Sequence, residues 1–247
     1  MCANQGRFEQ AIAAFDEAIR INPQLATAYN NRGYAHAARQ HHDRAIEDFG
    51  VALRLHPKFA EAFNNRGLAY MAKEQYDLAF ADFDTAVRLD ARLTLAWLNR
   101  GFASAGQGNF EAALADLNLC LERNPSLVNA LHNRGFVWSA LGEYARAIED
   151  YTEEIRLQPD RVWGYYNRGF VRLLQGESDA ALIDLTEAIH RRPDLANGHF
   201  LIGDLHLSRG DLRLAIVAYE KALELQPQFD LALRHCAECR QQLAKNT

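Results

Sequence analysis

The tripeptide Asn-Arg-Gly occurs five times, at Asn31-Arg32-Gly33, Asn65-Arg66-Gly67, Asn99-Arg100-Gly101, Asn133-Arg134-Gly135 and Asn167-Arg168-Gly169. Each copy begins 34 residues after the previous one, and a sixth site in the same register reads Leu201-Ile202-Gly203. A constant spacing of this length indicates a protein built from stacked structural repeats. We therefore number positions within a 34-residue unit that first begins at Ala26.

Other positions of the unit recur in the same register. Position 8 is always Gly, position 20 is always Ala, position 24 is Phe, Leu or Tyr, and position 27 is small except at Glu154. Small residues at positions 8 and 20 allow two antiparallel helices to approach closely. Ala45, Ile46, Phe49 and Leu53 exemplify an apolar stripe of helical period on the second helix.

Glycine and proline mark the ends of the predicted helices. Position 15 is Gly6, Gly108, Gly142, Gly176 and Gly210, which predicts a stop for each first helix. Gln40 and Glu74 occupy this position in two units, where we expect tighter or less regular turns. Proline stands at position 32 in five units and closes the second helix.

This pattern of Gly, Ala, an aromatic residue, a small residue and Pro resembles the tetratricopeptide repeat over nearly the whole chain. The resemblance implies an all-α fold, a right-handed α-solenoid superhelix of helix-turn-helix repeats. The predicted repeats span residues 26–59, 60–93, 94–127, 128–161, 162–195 and 196–229. Residues 1–25 fit only as a partial repeat that contains the second helix, with Phe8, Ile12, Phe15 and Ile19 on its apolar face.

Residues 230–247 are expected to form a C-terminal cap helix. Its water-facing residues are predicted to be Arg234, Glu238, Arg240, Gln241 and Gln242, because terminal helices with a polar outer face keep solenoids soluble. By this interpretation the C-terminal end of the stack is finished and the N-terminal end is not.

The arginine at position 7 predicts an ion pair. Position 23 is Asp in the five units that carry Arg, and both residues change together in the last unit, to Ile202 and Ala218. Pairing Arg with the previous unit would leave Arg32 opposite Ala14. We therefore predict five Arg–Asp pairs, each between the two helices of one unit, although sequential duplication could produce the same pattern without contact.

The asparagine at position 6 has no evident structural duty. It lies about 100° around the helix from the arginine, on the face that points away from the paired helix. In tetratricopeptide proteins the first helix lines a concave groove, and positions 2, 5, 6, 9, 12 and 13 commonly contact ligand. The arrangement also resembles the asparagine ladder of O-linked N-acetylglucosamine transferase repeat regions, where side-chain amides hold an extended peptide by its backbone. The predicted peptide-binding residues are Asn31, Asn65, Asn99, Asn133, Asn167, Asn30, Asn64, Tyr34, Phe102, Phe136, Trp163, Tyr166 and Phe170.

Structural explanations compete with this interpretation. The asparagines could cap or bridge adjacent helices, and the aromatic residues at position 9 could pack on the neighbouring unit. The groove positions carry only Glu61 and Asp204 as charges and no Lys or Arg. They therefore lack the carboxylate clamp with which related repeats hold acidic chaperone tails. Leu95, Leu98 and Phe102 add apolar character, so we expect an extended ligand with apolar side chains.

Composition limits the classes of partner and location. The net charge is −5, and no basic block of five or more residues occurs, which argues against nucleic acid or a membrane surface as partner. No signal peptide is visible at the start, and four cysteines suit a reducing compartment. We expect a cytoplasmic protein.

Catalysis and metal binding are not expected. Cys236 and Cys239 follow His235, but no second pair of ligands stands nearby, and a metal site usually needs four. Cys120 occupies a small core position. We find no phosphate-binding loop or nucleophile motif, and we predict no enzyme activity, no metal and no cofactor.

The sequence therefore predicts a protein–protein interaction module that binds an extended, partly apolar peptide of a partner in a concave groove. Two alternatives stay open. The chain could be the substrate-recognition arm of a larger, glycosyltransferase-like enzyme. It could also be an assembly scaffold that forms a homo-oligomer through the uncovered N-terminal end or the groove.

Overall fold

The structure is a computed structural model that describes the backbone of residues 2–245 and the side chains of residues 7–245. Within this part of the chain there are fourteen α-helices and no strand, so the all-α fold class is confirmed. The helices are α1 (Cys2–Ile21), α2 (Ala26–Ala38), α3 (His42–Leu55), α4 (Ala60–Ala72), α5 (Tyr76–Leu89), α6 (Thr94–Gly106), α7 (Phe110–Arg123), α8 (Val128–Ala140), α9 (Tyr144–Leu157), α10 (Val162–Gln175), α11 (Ser178–Arg191), α12 (Ala196–Ser208), α13 (Leu212–Leu225) and α14 (Asp230–Lys245).

The chain divides into two compact units, Met1–Ala130 (unit 1) and Leu131–Thr247 (unit 2), with the division inside α8. In unit 1 the hairpins α2–α3, α4–α5 and α6–α7 stack in chain order, and α1 packs against α2. In unit 2 the hairpins α10–α11 and α12–α13 stack in the same way, with α9 against α10 and α14 against α13. Each unit is therefore a row of helical hairpins in which neighbours in sequence are neighbours in space.

Glycine at position 8 sets the distance between the two helices of a hairpin. A Cβ atom added to Gly67 would lie 2.6 Å from the Phe83 ring, and one added to Gly203 would lie 2.5 Å from the Tyr219 ring. Such distances are well inside van der Waals contact, so any larger residue would push the helices apart. The aromatic residue at position 24 fills the space that glycine leaves, and Phe83 and Tyr219 are fully buried.

The turns between paired helices share one backbone conformation. Gly108, Gly142, Gly176 and Gly210 have φ values of +78° to +85°, the left-handed region that favours glycine. Gln40 and Glu74 adopt the same conformation, with φ values of 63° and 59°. The expectation of less regular turns at these two residues is therefore wrong, because non-glycine residues here accept left-handed strain of about 1 kcal/mol.

Gly6 does not stop a helix. It lies inside α1, which continues without a break from Cys2 to Ile21. A single glycine weakens a helix interior by about 1 kcal/mol, which neighbouring residues can outweigh. At the other end, the five polar residues predicted to face water on α14 are all exposed. Among the described residues, no helix has the length and apolar character needed to cross a membrane.

Candidate functional site

The five predicted Arg–Asp pairs are present, each between the two helices of one repeat. In every pair the arginine donates from Nε and Nη2 to both carboxylate oxygens, over distances of 2.6–2.9 Å. This two-bond geometry is the strong form of an arginine–carboxylate contact. All five aspartates are buried and balanced by the paired arginine, and Asp184 also accepts a hydrogen bond from Arg172 over 2.8 Å. The pairs are Arg32–Asp48, Arg66–Asp82, Arg100–Asp116, Arg134–Asp150 and Arg168–Asp184.

The arginines also reach the preceding repeat, which the sequence reasoning missed. Nη1 of Arg32 donates to Asp16 over 2.6 Å, Nη1 of Arg100 to Asp84 over 2.8 Å, and Nη1 of Arg168 to Thr152 over 3.0 Å. All three acceptors stand at position 25, a recurrence that could have revealed the contact. These three arginines thus hold two repeats together as well as the two helices of one hairpin.

Asparagine side chains connect neighbouring first helices in unit 1. Nδ2 of Asn65 donates to Oδ1 of Asn30 over 3.1 Å, and Nδ2 of Asn99 donates to Oδ1 of Asn64 over 2.8 Å. The two acceptors are only 7% and 6% exposed. The interpretation that position 6 has no structural duty is therefore wrong for Asn65 and Asn99, because each bridges to the helix before it.

This asparagine bridge bears on two of the predicted peptide contacts. Asn30 and Asn64 lie beneath the surface, and Nδ2 of Asn30 also donates to Oδ1 of Asn31 over 3.2 Å. Asn31 is exposed, and Asn65 and Asn99 are half-buried. A peptide contact by Asn30 or Asn64 stays a prediction, and their burial leaves them little surface with which to make one.

The outward surface of the first helices, here called the first-helix face, is mainly apolar in unit 1 outside the asparagines and the exposed Glu61. Tyr34, Leu68, Leu95 and Phe102 are all exposed. The helices α2, α4 and α6 contact one another in order, so these side chains share one surface. Leu98 is buried, which is contrary to the expectation that it lines this face. Exposed apolar residues gathered on one face indicate contact with a partner.

In unit 2 the first-helix face contains a depression, here called the aromatic pocket. Its volume is about 380 Å³, and its lining is predominantly apolar. Four predicted site residues, Phe136, Tyr166, Asn167 and Phe170, line it together. The remaining lining residues are Ser139, Ala140, Tyr151, Val171 and Leu174.

Tyr151 forms part of this pocket although the sequence places it in the core. It stands at position 24, is almost fully buried, and contacts the His132 ring edge-on at 6.0 Å between centroids. Burial raises the pKa of both Tyr151 and Tyr166, so both phenols stay protonated and uncharged. The pocket is therefore electrically neutral at the residues that shape it.

Trp163 lies on the same unit with a cation beside it. Its ring meets Tyr166 edge-on at 5.8 Å between centroids, and the Arg192 guanidinium carbon lies 5.4 Å from the Trp163 ring centroid. Sequence reasoning assigned no basic residue to this face because Arg192 directly follows the second helix α11. Asn133 is half-buried in the same unit, and Phe136 and Trp163 are exposed.

A buried charged cluster lies next to this face. Glu154 is fully buried, its two carboxylate oxygens are 3.0 and 3.1 Å from Nδ1 of His132, and Nε of Arg161 is 2.8 Å from Oε1. Gly164 makes room for Ile155 and Glu154, since a Cβ there would lie 2.9 Å from Cγ1 of Ile155 and 3.3 Å from the Glu154 carboxyl carbon. Glu154, the one large residue at position 27, is thus buried as part of an ion pair.

Cys120 has the packing role that the sequence predicts for it, and the other described cysteines are buried as well. Cys120, Cys236 and Cys239 are buried free thiols, and burial raises the pKa of Cys120 to about 11. His235 places Nδ1 2.9 Å from Oδ1 of Asp204, which also accepts from the Tyr219 hydroxyl over 2.6 Å. In residues 7–245, no group of three or more His, Cys, Asp or Glu side chains is placed to hold a metal ion.

Family comparison matches most of the chain. Profiles described as tetratricopeptide repeat match residues 37–94, 64–128, 139–196 and 196–229, and one described as TPR repeat matches residues 1–40. The chain belongs to the tetratricopeptide repeat family. A search of curated protein sequences finds no match.

Solved structures support the same fold. The Cut9–Hcn1 hetero-tetramer of the APC/C is similar with a TM-score of 0.81 and 19% identity, over 95% of this chain and 46% of that one. A tetratricopeptide repeat protein from Parabacteroides merdae has a TM-score of 0.71 and 20% identity, over 96% and 94% of the two chains. YrrB, described as a TPR protein with an unusual peptide-binding site, has a TM-score of 0.62 and 24% identity, over 75% and 95%. At these identities the likeness concerns the fold alone.

Proposed function

We propose that this tetratricopeptide protein is a protein–protein interaction module that binds an extended, partly apolar peptide segment of a partner on its first-helix faces. The observation that carries the proposal is the aromatic pocket of unit 2, where four residues singled out independently by the repeat register line one cavity of about 380 Å³. That volume accommodates one bulky side chain. Concave apolar sites with a few polar groups at the rim are the usual form of binding pockets.

The asparagines supply the polar part of the proposed contact. A side-chain amide offers two N–H donors and an acceptor oxygen, which match a peptide group. Asn167 borders the aromatic pocket, so it can hold the ligand backbone while the pocket takes a side chain. In unit 1, Asn65 and Asn99 direct one N–H to the neighbouring helix, and we assign the second N–H and the oxygen to the ligand. This use of amides resembles the asparagine ladder of O-linked N-acetylglucosamine transferases.

Charge and relatives favour the same class of ligand. The pocket residues are uncharged, and the exposed residues of the unit 1 face include Tyr34, Leu68, Leu95, Phe102 and Asn31, with Glu61 as an exposed charge. A strongly charged tail would find few counter-charges there, whereas an extended backbone with apolar side chains would bury them. YrrB, a similar structure, is described as having a peptide-binding site.

A displayed library of random linear peptides tests the proposal. We expect selection on the full chain to enrich peptides that share a bulky apolar residue. Fluorescence anisotropy should then show at least about tenfold weaker binding to Phe136→Ala and Phe170→Ala, because an anchor in a desolvated pocket commonly contributes more than 1 kcal/mol. Ile183→Ala is the matched control, since Ile183 is exposed on α11 of the same unit. Enriched peptides that bind all three variants equally, or no enrichment at all, would contradict the proposal.

A further inference from the structure

The aromatic pocket contains a tyrosine that has a counterpart in the last repeat. Tyr151 and Tyr219 both stand at position 24 and are almost fully buried. Each ring turns the same edge toward the glycine at position 8, because an added Cβ atom on Gly135 would lie 3.0 Å from Cζ of Tyr151 and one on Gly203 would lie 3.0 Å from Cζ of Tyr219. Since Cζ carries the hydroxyl group, the two hydroxyls point in corresponding directions.

In the last repeat this hydroxyl has a partner within the chain. The Tyr219 hydroxyl donates to Oδ1 of Asp204 over 2.6 Å, and Nδ1 of His235 lies 2.9 Å from the same oxygen. Asp204 stands at position 9 of its repeat, and His235 stands at position 6 of the register that begins at Asp230. One carboxylate oxygen is thus held between a tyrosine at position 24 and a polar side chain of the next helix.

The aromatic pocket repeats the two flanking groups but has phenylalanine where the last repeat has aspartate. Position 9 is Phe136 in this repeat, and position 6 of the next helix is Asn167. Phe136, Tyr151 and Asn167 all line the pocket. Within the part of the chain that the structure describes, neither the Tyr151 hydroxyl nor the Asn167 side-chain amide forms a hydrogen bond with another residue. Both groups are therefore available to a ligand in the pocket.

The charges around Tyr151 favour an uncharged ligand oxygen. Burial raises the pKa of Tyr151, and the carboxylates of Glu154 and Asp150 raise it further, so the hydroxyl keeps its proton and can donate. Asp150 is paired with Arg134, and Glu154 is paired with Arg161. No lysine or arginine belongs to the described lining of the pocket. A ligand carboxylate would therefore be buried near two carboxylates and without a cation of its own, which is costly.

The walls of the pocket fit a side chain with an aromatic body. Phe136, Tyr166 and Phe170 present rings, and Val171 and Leu174 add aliphatic surface. Aromatic rings are favoured next to one another in offset or edge-to-face arrangements. A volume of about 380 Å³ would be poorly filled by serine, threonine or asparagine, and glutamine has no ring. Tyrosine is the natural side chain that combines an aromatic body with an uncharged oxygen at its tip.

We propose that the aromatic pocket is specific for a tyrosine side chain of the partner peptide, whose phenol oxygen accepts hydrogen bonds from the Tyr151 hydroxyl and from Nδ2 of Asn167. This inference rests on the proposed function and names the residue that the pocket takes. The ligand oxygen occupies the place that Oδ1 of Asp204 takes in the last repeat. Asn167 keeps its second N–H and its oxygen for the ligand backbone. Tyr151 thereby determines specificity through one hydroxyl group.

Fluorescence anisotropy with two forms of one selected peptide tests this specificity. One form carries tyrosine at the shared bulky position and the other carries phenylalanine, so the two peptides differ in a single hydroxyl group. We expect the full wild-type chain to bind the tyrosine form about tenfold more tightly, because the phenylalanine form leaves the buried Tyr151 hydroxyl unpaired. Tyr151→Phe should bind the two forms with nearly equal affinity. It should fold, because Phe49 and Phe83 already place phenylalanine at position 24.

Tyr219→Phe is the matched control, because it removes the same atom at the same position from a hydroxyl that is bonded within the chain. With its fold verified by circular dichroism, this variant should keep the preference for the tyrosine form. Equal affinity of the wild type for the two forms, a preference that Tyr151→Phe retains, or a selection that enriches a residue other than tyrosine would overturn the inference. Where binding still depends on Phe136, such a result leaves peptide binding itself intact. Peptides that bind Phe136→Ala as tightly as the wild type would instead contradict the proposed function and this inference together.

Discussion

Units 1 and 2 have the same hairpins but different first-helix faces. In unit 1, Asn30 and Asn64 at position 5 accept hydrogen bonds from the next repeat, which link adjacent first helices. In unit 2 the same position holds His132, Tyr166 and Phe200, and the face opens into the aromatic pocket. Where position 5 is Asn30 or Asn64 it joins neighbouring first helices, and where it is Tyr166 it lines the aromatic pocket instead.

The last repeat of unit 2 differs from the other repeats at positions 7 and 23. The repeats of unit 1 each contain a buried Arg–Asp pair, whereas the last repeat of unit 2 has Ile202 and Ala218 in those places. Both solutions pack, since Ile202 and Ala218 are buried. The comparison indicates that what matters is the match between the two positions rather than the presence of charge.

Breaking one pair should have the largest effect. Arg100→Ile leaves Asp116 buried without its partner, and we expect the free energy of unfolding to fall by about 3 kcal/mol. Adding Asp116→Ala recreates the combination found at Ile202 and Ala218 and should recover most of the loss. Urea denaturation of the single and double variants measures this. Losses that simply add would mean that the two residues do not interact.

Alanine at position 8 should be tolerated less well where position 24 is an aromatic ring than where it is leucine. At Gly203 an added Cβ would lie 2.5 Å from the Tyr219 ring, whereas at Gly101 its nearest neighbours are 3.2 Å away. We expect Gly203→Ala to cost about 2 kcal/mol through overpacking and Gly101→Ala to cost clearly less. Thermal denaturation of both variants compares them. Equal losses would show that the ring at position 24 does not limit helix approach.

Exchanging position 5 between the units should change peptide binding more than folding. Tyr166→Asn places the unit 1 residue type in the wall of the aromatic pocket, and we expect about tenfold weaker binding of the selected peptides, equivalent to about 1.4 kcal/mol. Ile183→Asn in the same unit is the control. Unchanged affinity for Tyr166→Asn would mean that the peptides bind elsewhere.

The turns give the smallest expected difference. Gln40 and Glu74 in unit 1 hold the left-handed conformation that Gly142, Gly176 and Gly210 hold in unit 2. Gln40→Gly should therefore raise the free energy of unfolding by up to about 1 kcal/mol, because it relieves left-handed strain, although glycine also gains entropy when unfolded. Gly142→Ala should lower it by a similar amount. A destabilised Gln40→Gly would show that the glutamine side chain stabilises the turn by more than its strain.

Much of the fold could be predicted because its determinants are local in the repeat. Glycine opposite an aromatic ring, alanine at the helix contact and a turn residue at position 15 each act within one hairpin. The Arg–Asp pairs were predictable as well, since charge and counter-charge disappear together at Ile202 and Ala218. The helix stop predicted at Gly6 was wrong, because a glycine produces a turn only where the helices before and after it pack against each other.

The sequence by itself determined the 34-residue unit, the all-α class and the five Arg–Asp pairs, because steric fit and charge balance within a hairpin depend on residues of that hairpin. Only the tertiary structure decided what the outward residues do. Asn65 reaches Asn30 across two first helices, and Tyr151 borders the aromatic pocket from its buried core position. These contacts are made between different helices. The distances between their side chains depend on how the hairpins stack.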